Sequence, residues 1–116
     1  MMLSVDGGAQ AIFTSPITQE YPTIFTTDFK DINRNLFIEP ETITLTTDTE
    51  DGKIIDVFDV IEIKDEGGLL KFLCVTRTGE KLVTVIIPVQ EKIEIIDIYR
   101  PSSVTGEVEQ IRLWVN

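Results

Sequence analysis

Histidine is absent from all 116 residues. That removes the commonest general base, the commonest metal ligand and the usual physiological-pH switch, so neither a Ser-His-Asp nor a Cys-His device can be assembled from this chain. The single cysteine, Cys74, closes no internal disulfide and makes no zinc site without histidines. It lies in the apolar run Leu69 to Thr76 and reads as a small buried hydrophobe rather than a nucleophile. No catalytic residue, cofactor or metal site is therefore expected. Alanine occurs only as Ala9 and Ala11, which strips the chain of its best helix former. No stretch of about 18 residues is free of charge, so no helix is expected to span a bilayer. Walker loops, Rossmann glycine fingerprints and glycosylation acceptors are missing as well.

Positive charge is scarce. Ten Lys and Arg stand against 20 Asp and Glu, a net charge of −10. Such a surface repels phosphate backbones and anionic headgroups, so neither nucleic acid nor membrane is an expected partner. Another protein, most simply a basic one, fits better. The N-terminus has no basic leader or long apolar core, and with a lone cysteine the cytoplasm is the expected compartment.

What the chain has in abundance is β-branching: Ile, Val and Thr supply 41 residues. These side chains are stiff at χ1 and pack well on a pleated surface. Residues 1–8 read as a flexible end and 9–116 as one domain. Short strands are predicted at 10–14, halted by Ser15-Pro16, and at 21–26. The one helical candidate is 27–36, with Thr27 as cap and Phe29, Ile32 and Leu36 on one face. From Leu36 onward, strands near 41–47, 53–64, 69–76, 81–89, 93–99 and 107–115 alternate with tight turns around Gly52, Gly67-Gly68 and Gly79. Strands joined this tightly must be antiparallel neighbours. The fold class is all-β: six or so strands in a meander that closes into a small barrel or strongly curved half-barrel, lipocalin-like in layout, with a short helix plugging one end.

In the strand 53–64 the odd positions Ile55, Val57, Ile61 and Ile63 form the apolar face, interrupted by Asp59. A bulge near Phe58 to Val60 would repair the register. Strand 69–75 is apolar on both sides, which favours a cover, either a chain segment or a second copy in a homodimer. Inward-pointing Asp59 or Asp97 is the feature a carboxylate-only hydrolase would need. Asp48, Glu50 and Asp51 crowd one loop, but Gly52 and Lys53 stand where a calcium loop needs a ligand and a glycine.

Partner-binding candidates gather late in the chain. The loop from Arg100 to Gly106 is stiffened by Pro101, offers the hydroxyls of Ser102, Ser103 and Thr105, and ends on a glycine that permits close backbone approach. Trp114 is the single large aromatic anchor: core packing is the expected place for it, and it is an exposed hot-spot candidate if even positions of its strand face outward. In length, β-content and the place of Gly106 the layout resembles the staphostatins, lipocalin-like barrels that inhibit cysteine proteases through a glycine-containing loop. Val104-Thr105 and Glu107-Val108 depart from that family's loop. The leading expectation is a non-enzymatic protein-binding module. An inhibitor acting through 100–106, as the resemblance implies, and a carrier of a small apolar ligand in the barrel interior are the alternatives.

Overall fold

The computed structural model describes residues 11–21, 29–77, 81–101 and 107–115. Eight strands follow one another: β1 (Ala11–Tyr21), β2 (Phe29–Ile38), β3 (Thr42–Thr49), β4 (Gly52–Glu66), β5 (Leu69–Thr76), β6 (Leu82–Pro88), β7 (Ile95–Pro101) and β8 (Val108–Trp114). Each pairs antiparallel with the next, and β8 closes on β1. The expected all-β antiparallel barrel is thus the observed fold. At eight strands a barrel is just wide enough for side chains to fill it.

The filling comes from alternation. Leu36 and Ile38 of β2, Ile43 and Leu45 of β3, Phe72 and Cys74 of β5, Val83, Val85 and Ile87 of β6, Ile96 and Ile98 of β7, and Ile111 and Leu113 of β8 are all buried. Neighbouring strands place these residues opposite one another, as in Leu36 to Leu45 and Phe72 to Val85. Tight turns hold the register. Gly67 and Gly68 both take positive φ, 59° and 84°, as a two-residue hairpin with the right twist requires. At the β3–β4 turn Gly52 has φ 126°, Thr49 Oγ1 donates to its carbonyl, and Lys53 pairs with Asp48. That crowded acidic loop is an ordinary hairpin.

Several sequence expectations are corrected. Residues 29–38 form a strand, not part of a helix. Its inward positions near the start are Lys30 and Arg34, so polar groups broke the period-2 signal while Phe29, Ile32 and Leu36 imitated a helical stripe. Ser15-Pro16 does not stop β1. The register shifts there, Ser15 Oγ donates to the Ile17 carbonyl, and the proline occupies the irregularity without leaving a ladder donor unpaired.

In β4 the facing up to the bulge is the reverse of that expected, while Ile63, beyond the bulge, faces inward opposite Phe72 as expected. Phe58 opposes buried Ile43 and is itself buried, whereas Ile55 and Ile61 stand outside, 63% and 62% exposed. Asp59 belongs to the outer face, and the bulge falls just beyond it, between Val60 and Glu62. The candidate strand 21–26 lies, beyond Tyr21, outside the described residues, as do the N-terminal end and the turn at Gly79. Among the described residues no helix is long and apolar enough to cross a membrane.

Candidate functional site at the barrel mouth

One end of the barrel is polar. Strand alternation carries Thr18 and Glu20 of β1, Lys30 and Arg34 of β2, Thr47 of β3, Asp56 of β4, Arg100 of β7 and Glu109 of β8 onto the inner face, beyond the last apolar layer. Arg34 is the most deeply placed charge, only 5% exposed. Its guanidinium donates through Nε to Thr47 Oγ1 at 3.2 Å, through Nη1 to Thr18 Oγ1 at 2.9 Å and through Nη2 to Glu20 Oε1 at 3.4 Å. Glu20 also accepts from Lys30 Nζ at 2.8 Å. Burial draws the Arg34 pKa below the ordinary arginine value, against the pull of Glu20. Burial pushes Glu20 up, but Lys30 and Arg34 together outweigh it and hold its carboxyl below the usual range.

Arg100 anchors a second group. Its Nε donates to Glu109 Oε1 at 3.2 Å, directly across the β7–β8 ladder, and its Nη1 stands 3.7 Å from Asp56 Oδ2. These side chains, with Phe58, Thr76, Lys81 and Pro101, line a cavity of about 290 Å³. Two acids and two bases surround an aromatic floor. Of the chain's ten basic residues, only Lys64 and Lys81 make no ion pair with the described residues. Lys81 therefore brings to the rim a cation that has no ion-pair partner among the described residues.

The residues singled out from sequence are divided by the fold. Arg100 and Pro101 line the mouth; Ser102, Ser103, Thr105 and Gly106 lie outside the described residues. Trp114 is not in the core. It sits on the outer wall opposite Ile17 and Ile95, its ring centroid 5.9 Å from that of Phe29, and its indole N–H donates to Gln19 Oε1 at 2.8 Å. With Pro16, Ile17, Lys92, Glu94 and Val115 it borders a separate groove of about 460 Å³.

Neither interior acid of the hydrolase reading points inward. Asp59 forms a surface pair with Arg77, whose hydrogen bond to it holds its carboxyl below the ordinary value. Asp97 meets Arg112 across β7–β8 on the outer wall. The inward acids at the mouth, among the described residues, are Glu20, Asp56 and Glu109. Sequence offered one signal for them: each aligns with apolar inward residues once strand parity is assigned correctly.

Cys74 is buried below the mouth, with Sγ 3.5 Å from the Phe72 carbonyl. Burial, helped by Asp59, pushes its thiol up to about 12. Folded protein at pH 8 is expected to resist Ellman's reagent, with labelling limited by unfolding and accelerated by denaturant. Fast native labelling would show the thiol to be exposed. Among the described residues no three His, Cys, Asp or Glu side chains are grouped to hold a metal.

The fold and site together define an up-and-down eight-stranded barrel with an apolar lumen and a charged mouth. Against known proteins the chain matches no family model, no curated sequence and no solved structure.

Proposed function

We propose that this protein is a non-enzymatic binding module whose barrel mouth receives a segment of another protein. Lys81 carries the reading: it is a cation without a described partner, set on the rim of a cavity floored by Phe58. A segment that places a carboxylate against Lys81 and an apolar side chain over Phe58 matches both features. The acidic exterior draws such a segment from a protein that is basic elsewhere. Asp56 and Glu109 are both engaged by Arg100, which suits them to shaping a pocket rather than to proton transfer.

Selection of a phage-displayed peptide library on the immobilised barrel tests this. Enriched peptides are expected to pair an apolar residue with a neighbouring Asp, Glu or free C-terminus. They should lose about tenfold or more in affinity for Lys81→Glu. Peptides that bind Lys81→Glu as well as the parent, or a selection that enriches nothing, would remove the mouth as the binding surface.

The inhibitor version of this reading assigns the contact to residues 100–106, of which Arg100 and Pro101 border the same cavity. Slowed turnover across a panel of cysteine proteases would support that narrower role. The apolar-carrier version has less behind it. Residues lining a ligand-sized void keep measurable exposure to it, yet Leu45, Phe72, Ile98 and Leu113 are all at 0%. Fatty acids and retinoids are expected to leave the melting temperature unchanged.

A further inference from the structure

Closure of the barrel leaves the far end of β4 exposed on an edge. β4 runs to Glu66, but β3 begins at Thr42, which pairs with Asp59. The last described bond on that side is from the Val60 N–H to the Glu41 carbonyl, at 2.9 Å. Beyond it, Glu62 to Glu66 pair with β5 on one side only, and no described residue takes the other. Residues 61–66 are all exposed, including Ile61 at 62% and Ile63 at 37%. An edge of this kind is a template for an added strand.

The side chains on this edge suit a copy of themselves. A two-fold axis between antiparallel strands requires some residue to face its own counterpart. With Ile63 on the axis, Glu62 of each copy falls opposite Lys64 of the other, and the two Ile63 side chains meet on the opposite face. Shifting the axis to Glu62 or Lys64 would oppose like charges, so the sequence selects one register. Neither Glu62 nor Lys64 has an ion-pair partner among the described residues. At its centre, Glu62 and Lys64 carry opposite charges spaced to neutralise each other across the two-fold.

We infer that the β4 edge from Glu62 to Lys64 is a homodimer interface, made by antiparallel addition of the same strand from a second copy. It lies at the end of the barrel opposite the mouth, so the dimer presents both mouths outward and does not depend on what they bind.

Sedimentation equilibrium of the full chain between micromolar and submillimolar concentration tests the assignment. The parent is expected to dimerise reversibly. Glu62→Lys and Lys64→Glu each place like charges at both crossings and should weaken dimerisation about tenfold or more. The double exchange should restore it. An equimolar mixture of the two single variants should form heterodimers that neither forms alone, an outcome that misfolding cannot imitate.

A parent that stays monomeric throughout overturns the inference. In that case hydrogen exchange reports the alternative, since protected amides at 61–66 would assign the edge to another part of the same chain and unprotected ones would leave it open. Dimers equally tight in both single variants would place the interface elsewhere.

Discussion

Phe72→Ala is expected to lower the unfolding free energy by about 3–5 kcal/mol. Phe72 has no solvent exposure and is pinned across the sheet between Ile63 on β4 and Val85 on β6, within a core fastened by the closed ring of strands. The ladders hold the surrounding backbone in place, so the wall cannot collapse into the space the ring vacates, and both the transfer and cavity costs apply. Ile55→Ala is the informative contrast. Its side chain stands on the outer wall of β4 at 63% exposure, and its truncation should change stability by no more than about 0.5 kcal/mol. Urea unfolding measures both. The Phe72 variant should unfold at a much lower midpoint with an unchanged slope, and the Ile55 variant close to the parent. The reverse order would mean that β4 and β5 present the opposite faces to the lumen.

That contrast falls where the sequence was hardest to read. In β3, Ile43 and Leu45 alternate with threonines, and the pattern by itself identified a half-buried strand and its inner face. In β4 both faces carry Ile or Val. The longer apolar series, Ile55, Val57, Ile61 and Ile63, reads as the inner one from the sequence. The true inner series is Ile54, Asp56, Phe58 and Val60, followed by Ile63 after the bulge. Periodicity alone cannot choose between two apolar faces, and the bulge removes the strict alternation that would have helped. The same logic hid β2. A strand that lines the polar mouth must turn Lys30 and Arg34 inward, and charged residues at inward positions look like solvent positions until the neighbouring strands are known.

The candidate site was legible only in part, for a related reason. Arg100 and Pro101 stood out because a proline-stiffened loop follows a regular strand, and they do border the mouth cavity. Asp56, Lys81 and Glu109 come from three other strands or their ends, and only barrel closure brings them together. Closure also separates Trp114 from that end and lays it against Phe29 on the outer wall. Local sequence reports which residues are unusual; the shear of the barrel decides which of them meet.

Arg34→Ala is expected to cost about 2–4 kcal/mol, more than the removal of any surface ion pair in the chain. Its guanidinium closes three contacts at once, and its truncation leaves the Thr18 hydroxyl, itself 0% exposed, and the Thr47 hydroxyl without the donor they face. It also strips Glu20 of one of its two cations. Arg34→Lys keeps the charge but loses the planar fork that reaches both threonines, so it should fall between parent and alanine. Arg77→Ala, which breaks the solvent-exposed pair with Asp59, should leave the unfolding midpoint where it is.

Acid adds a second readout. Glu20 has its folded pKa held below its ordinary 4.5, so its contribution to stability is complete above that value and is lost as pH falls through the lower, folded value. The parent should therefore lose stability on acidification below pH 4.5 more steeply than Arg34→Ala, in which Lys30 alone still favours the Glu20 carboxylate. Parallel acid profiles for the two proteins would mean that Arg34 acts on the threonines only and adds nothing to the hold on the Glu20 carboxylate.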